Sequence, residues 1–277
     1  MFQKPIVSVD WLYHHLDDEN LIVLDATLPK VNSKEVTSTD KKQIKGAAFF
    51  DIKNTFSDIR APFPNTALSS KEFEICARNL GIDNSAVLVV YDDLGIYSSP
   101  RVWWMFQLMG FANIAVLDGG LPAWKAKNYP IQNPKERSTK KGDFTASYQS
   151  IKIKSTADVL LAIGNPSILT ADARSKARFL GTTPEPRKEV RSGHIPHAVN
   201  LPYTTLLEQG EMKDEEDLKN IFFEVNPTKK ELIFSCGTGI TACILALGAS
   251  LSGIDNYAVY DDSWTAWGST PDLPISF

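Results

Sequence analysis

Apolar residues recur along this chain in short continuous runs, separated by longer stretches where they return every three or four positions. Residues 21–25, Leu-Ile-Val-Leu-Asp, and 87–91, Val-Leu-Val-Val-Tyr, are runs of strand length. Unbroken apolar runs of this kind read as strands buried on both faces. Residues 114–117 and 232–234 have the same character, and 47–52 predicts a further strand. Helix signals fill the intervals. Ser8 caps a helix over 9–16. Ser69 and Glu72 form a capping box for a helix that runs to Leu80 and stops at Gly81. Residues 101–109 and 240–247 predict two more helices, while 32–45 and 92–100 read as loops. Strands alternate with helices, so the fold class is α/β, with mostly parallel sheet flanked by helices.

The pattern lapses over 131–149, a polar stretch holding Asn133-Pro134, Lys140-Lys141 and Gly142, which reads as a solvated connector. Beyond it the first half comes round again. Residues 111–124 read FANIAVLDGGLPAW and 254–267 read IDNYAVYDDSWTAW. At a constant offset of 143, Gly110, Asn113, Ala115, Val116, Asp118, Ala123 and Trp124 fall on Gly253, Asn256, Ala258, Val259, Asp261, Ala266 and Trp267. Asp25 likewise answers Asp172, and Ile44 with Ala47 answers Ile195 with Ala198. Seven identities in one ungapped window point to a tandem duplication of one α/β domain. The expected division is 1–132, a linker over 133–149, and 150–277.

Composition narrows the function without naming it. The 277 residues carry 43% hydrophobic and 22% charged side chains, ordinary for a folded protein, and a formal net charge of −4. That charge gives no footprint for nucleic acid. No apolar run approaches a membrane span, and the N-terminus shows no signal-peptide core. Three widely spaced cysteines make neither a disulfide framework nor a zinc site. A reducing cytoplasm is the expected compartment, with no metal and no cofactor.

The chemistry concentrates in residues 231–247, ELIFSCGTGITACILAL. A strand, a tight loop and a helix in succession aim several backbone N–H groups at one spot. Cys236 opens that loop, and positive partial charge there favours its thiolate. The repeat places Asp92 where Cys236 stands, so the second copy carries the nucleophile and the first a carboxylate. Cys243, seven residues on, and Cys76 read as core. His14 and His15 read as helix surface, His194 as a turn or packing residue, and Trp103, Trp104, Trp264 and Trp267 as packing.

The duplication with a single CGTGITA loop resembles the two-domain rhodanese and 3-mercaptopyruvate sulfurtransferase family. Asp172-Ala173-Arg174-Ser175, Arg178-Phe179, Pro184-Glu185-Pro186-Arg187, Arg191-Ser192-Gly193-His194-Ile195-Pro196 and Tyr260-Asp261-Asp262-Ser263-Trp264 carry the likeness across the second half. The resemblance implies sulfur transfer through a persulfide on Cys236, cradled by Gly237, Thr238, Gly239, Ile240 and Thr241. Thr238 is implied as a hydrogen-bonding or proton-relaying group, with a capping hydroxyl as its plainer reading. Arg178 and Arg187 match the family's pair that grips the donor's carboxylate, for which a guanidinium fork is suited. Basic residues in this loop mark thiosulfate enzymes and a small neutral loop marks mercaptopyruvate enzymes; here the loop is neutral. The implied partners are a small-molecule sulfur donor and a thiol acceptor such as thioredoxin or a small thiol, with cyanide serving in an assay, and the protein is expected to act as a monomer. Two departures stand out. Asn65 occupies the place of the family's histidine, leaving Asp58 as a weak remnant of a relay, and His197 replaces the usual glycine.

Other readings of the loop compete. Gly237-x-Gly239-x-x-Ala242 also fits a dinucleotide fingerprint, with Asp261 downstream, but that fingerprint normally opens a sheet and here only some forty residues remain. A cysteine phosphatase needs an arginine six residues past the nucleophile, where this chain has Ala242. Thiosulfate:cyanide transfer and a non-turnover sulfur-carrying module remain alternatives to the mercaptopyruvate reading.

Overall fold

The computed structural model describes residues 2–28, 42–135 and 140–277. Two compact units emerge, each built on a five-stranded sheet of parallel strands. In the first the strands are β1 (Ile6–Val7), β2 (Leu21–Asp25), β3 (Ala48–Phe49), β4 (Val87–Tyr91) and β5 (Ile114–Leu117), in spatial order β1-β5-β4-β2-β3. In the second they are β6 (Ile153–Lys154), β7 (Ile168–Asp172), β8 (Val199–Asn200), β9 (Glu231–Ser235) and β10 (Tyr257–Tyr260), in order β6-β10-β9-β7-β8. The two orders superimpose strand for strand, as duplication requires.

Helices α1 (Val9–His15), α2 (Ser70–Asn79), α3 (Ser99–Leu108) and α4 (Gly120–Ala126) belong to the first unit. Helices α5 (Thr156–Ala162), α6 (Lys176–Phe179), α7 (Glu215–Val225), α8 (Ala242–Leu251) and α9 (Ser263–Ser269) belong to the second. The hydroxyls of Ser8 and Ser69 accept the N–H groups of Trp11 and Glu72, as the capping signals require. Helix α3 begins two residues before the expected start, because Pro100 lies in its first turn, where a missing N–H costs nothing. Helix α8 begins two residues after the expected Ile240, leaving that backbone in the loop. The strand expected over 47–52 pairs only at 48–49.

The repeated residues do equivalent work. Gly110 and Gly253 follow the ends of α3 and α8 with φ of 76° and 75°. Trp124 and Trp267 are fully buried, and their indole N–H groups donate to the carbonyls of Pro130 and Pro274 at 3.0 and 2.8 Å. Each tryptophan closes its own core, the first with Leu12, Val89 and Leu117, the second with Val159, Ile233 and Tyr260.

The segment read as a solvated linker is not one where it is described. Ile131–Gln132 pairs antiparallel with Gln43–Ile44, the latter lying within the stretch expected as loop, whose residues up to 41 lie outside the described ones. Residues 140–149 cluster with the first unit. Phe144 is fully buried among Phe73, Phe106 and Phe111, with ring centroids 5.7–5.8 Å away. Backbone bonds from Gly142 to Arg78, Phe144 to Ile82, Ser147 to Met109 and Gln149 to Leu108 fasten the strip down. Burial of one aromatic side chain outweighs the polar character of its neighbours. Two short segments depart from the sequence division: residues 59–66 cluster with the second unit and 209–212 with the first.

Candidate active site

In the second unit β9 and β7 run side by side with Ser235 opposite Asp172, so Cys236 leaves the carboxyl end of a central strand. That edge of an open α/β sheet is where ligands bind. Cys236 is 1% exposed, and Cys236, Cys243 and Cys76 are all free thiols. The loop that follows is held from below by α9. The N–H of Trp264 donates to the Cys236 carbonyl at 3.0 Å, and Thr265 donates through both N–H and hydroxyl to the Gly237 carbonyl. With those carbonyls turned down, the loop amides face the other way. Among the described residues, the N–H groups of Gly237, Thr238, Ile240 and Thr241 have no acceptor. These are four of the five residues expected to cradle the sulfur; the N–H of the fifth, Gly239, is taken by Ser263.

Two other loop amides are occupied, by a residue that the sequence did not mark as functional. Ser263 Oγ accepts the N–H of Cys236 at 3.1 Å and of Gly239 at 3.2 Å, donates to the Tyr260 carbonyl at 2.8 Å, and lies 3.9 Å from Cys236 Sγ. Ser263 holds φ at +51°, a left-handed backbone that costs a side-chain-bearing residue about 1 kcal/mol or more. Its counterpart at the 143 offset is Gly120, with φ at +52°, where a Cβ would come within 2.5 Å of the Asp92 and Gly95 carbonyls. A serine in one copy where the other has glycine was the available signal.

The arginines expected to grip the donor come to the same place. Arg178 Nη2 lies 3.3 Å from where a Cβ on Gly237 would stand, so the guanidinium covers that residue. Arg187 feels the charge of both Arg178 and Cys236; burial, then Arg178, pull its pKa below the ordinary arginine value. It stays charged at any physiological pH. Behind them is a buried ion network. Arg174 grips Asp172 through Nε and Nη2, reaches Glu185 through Nη1 at 2.9 Å, and stacks on Trp264 with its Cζ 4.4 Å from the ring centre. Burial opposes its charge, but Asp172 and Glu185 outweigh burial and hold its pKa high. Glu185 also accepts from Arg178, at 3.2 Å from Nε and 2.5 Å from Nη2.

Thr238 is buried, whereas Thr241 stands before α8 without a side-chain capping bond. Cys243 is fully buried, its thiol directed to the Gly239 carbonyl. Cys76, expected in the core, is only partly buried and donates to the Thr55 carbonyl. His194 stacks on Phe179 and shares a hydrogen bond with its carbonyl, a packing role. His197 is exposed, with φ at +62°. Asn65, also at positive φ, lies in the 59–66 segment of the second unit. In that segment Thr66 donates to the Asp262 carboxylate at 2.9 Å. Among the described residues no cluster of His, Cys, Asp and Glu is arranged to hold a metal. None of their helices is long and apolar enough to cross a membrane.

A family model described as a rhodanese-like domain matches residues 8–127 and again 155–270. The chain belongs to the rhodanese family. Its rhodanese-like halves find full-length counterparts. The chain is 37% identical to thiosulfate/3-mercaptopyruvate sulfurtransferase 1, mitochondrial, of Arabidopsis thaliana, over 98% of this chain and 78% of that one. It is 34% identical to 3-mercaptopyruvate sulfurtransferase of Escherichia coli K12, over 97% and 96%. The crystal structure of SseA from Escherichia coli, described as showing the rhodanese fold, superimposes with a TM-score of 0.82 at 31% identity, covering 95% of this chain and 99% of the other.

Proposed function

We propose that this rhodanese-family protein is a 3-mercaptopyruvate sulfurtransferase working through a persulfide on Cys236. The observation that carries this reading is the pairing of an open, uncharged amide cradle at Cys236 with two arginines outside the loop. Arg178 and Arg187 hold the donor's carboxylate, which sets its sulfur against Sγ. The thiolate attacks that sulfur, the C–S bond breaks, and pyruvate leaves as its enolate. The proton on the transferred sulfur passes to the enolate, and Thr238 is the residue assigned to relay it in this reading. The resulting persulfide anion lies among the loop amides, which stabilise charge without reorganising. An acceptor thiolate then attacks the outer sulfur and returns Cys236 as thiolate, a ping-pong cycle. Thioredoxin or a small thiol is the acceptor in this reading, cyanide substitutes in an assay, and the protein acts as a monomer in the cytoplasm.

Thiosulfate is the second donor to weigh, since the Arabidopsis relative's name carries both. The deciding experiment measures kcat/KM for each donor with the wild type and with Cys236→Ser. Mercaptopyruvate is expected to lead, and the serine variant to be inactive with both. A tenfold lead for thiosulfate, about 1.4 kcal/mol of transition-state preference, overturns the donor assignment. Turnover by Cys236→Ser overturns the mechanism, and a wild type that takes up sulfur once without turnover makes the protein a carrier.

A further inference from the structure

We infer that Glu185 is a positioning residue that selects the charge of the sulfur donor, an inference resting on the proposed gripping role of Arg178 and Arg187. The side chain of Glu185 is 4% exposed and stands between two arginines. Its Oε1 accepts from Arg174 Nη1 and Arg178 Nε, and its Oε2 accepts from Arg178 Nη2. The Nε–Nη2 edge of Arg178, the edge that makes a two-pronged grip on a carboxylate, is therefore committed to the protein. Arg178 is left to offer the donor Nη1, which would stand 3.9 Å from a Cβ on Gly237, against 3.3 Å for the Nη2 that Glu185 holds.

The charges of the cluster follow by counting. Arg174, Arg178 and Arg187 contribute three positive charges, Asp172 and Glu185 two negative, which leaves one positive charge beside Cys236. One surplus charge matches a monoanionic donor, a carboxylate carrying its sulfur on a neutral carbon. A dianion such as thiosulfate brings a second negative charge towards a thiolate nucleophile, with nothing in the neutral loop to offset it. Glu185 thus does two things. It fixes Arg178 over Gly237, and it cancels the charge that would otherwise suit a dianion.

The test is the ratio of kcat/KM for mercaptopyruvate to that for thiosulfate in Glu185→Gln and Glu185→Asp. The glutamine raises the surplus charge from one to two, so the ratio should move towards thiosulfate by tenfold or more. The change should lie mainly in KM for mercaptopyruvate, since Arg178 loses its anchor. The aspartate keeps the charge on a shorter stem, so both rates should fall while the ratio stays within about threefold of wild type. Equal losses for both donors in Glu185→Gln would mean that Glu185 only supports the fold, and a tenfold shift in Glu185→Asp would mean that charge is not what selects. Should the glutamine variant not fold, Glu185→Ala removes the same charge without leaving an amide in its place, and is read by the same two outcomes. A wild type that prefers thiosulfate defeats the donor reading alone, because the response of the ratio to Glu185 is measured separately.

Discussion

The loop after β4 and the loop after β9 occupy the same place in two copies of one sheet, yet they treat the same amides in opposite ways. In the first copy the Asp92 carboxylate, fully buried, accepts N–H bonds from Leu94, Tyr97, Ser98 and Ser99 at 2.9–3.0 Å, and the Ser99 hydroxyl at 2.7 Å. Burial pushes the pKa of Asp92 up while those donors pull it down. In the second copy the corresponding N–H groups of Thr238 and Thr241 point at no protein acceptor. The first loop is therefore satisfied internally. The second is held open, and a negative sulfur is the group that would complete it. A site for anion chemistry and a stable structural turn here differ mainly by who supplies the anion.

The sharpest way to break that comparison is to make the second loop like the first. Cys236→Asp should lose turnover by more than about 10³-fold, since no nucleophile remains, while stability in urea holds or rises by about 1 kcal/mol as the carboxylate fills the cradle. The converse, Asp92→Ala, strands five donors in the first core. It should cost about 3 kcal/mol or more in urea unfolding, yet change kcat per folded molecule less than threefold. Ser263→Ala tests the two amides that the active loop does not leave open. Loss of the acceptor for Cys236 and Gly239 should cost about 1–2 kcal/mol and slow sulfur transfer by about tenfold. An unchanged rate would make Ser263 a purely structural strut.

The mildest prediction concerns pH. Asp118, in the first unit, accepts the N–H of Met212 at 2.9 Å, and burial pushes its pKa up to about 6. Its folded value lies above the unfolded one, so the folded state binds the extra proton between them. Stability should therefore be greatest at low pH within that window and fall as pH rises from about 4 to 6, by at most about 3 kcal/mol. Asp118→Asn should flatten the dependence, as thermal melts at pH 5 and 7 can show.

Much of this was legible in the residues. The 143 offset found the two tryptophans and the two helix-ending glycines, and the matching strand ends showed the equivalence of Asp92 with Cys236, because a repeat leaves its marks in linear order. The role of Ser263 was not legible, since it lies 27 positions after Cys236 and meets it only because β9 and β10 are neighbours. Glu185 could be read as part of a motif but not as the bridge between Arg174 and Arg178, which depends on where three side chains converge. The strip over 140–149 reads as a connector in the sequence, since one buried ring in a polar stretch makes no period.

That ring has a consequence for anyone who would study the halves apart. A fragment ending at residue 132, where the pattern of strands and helices gives out, would lack Phe144 and bare the faces of Phe73, Phe106 and Phe111. Such a fragment should aggregate, whereas one carried through Gln149 keeps its own lid. The natural cut lies seventeen residues later than composition suggests, since 149 − 132 = 17.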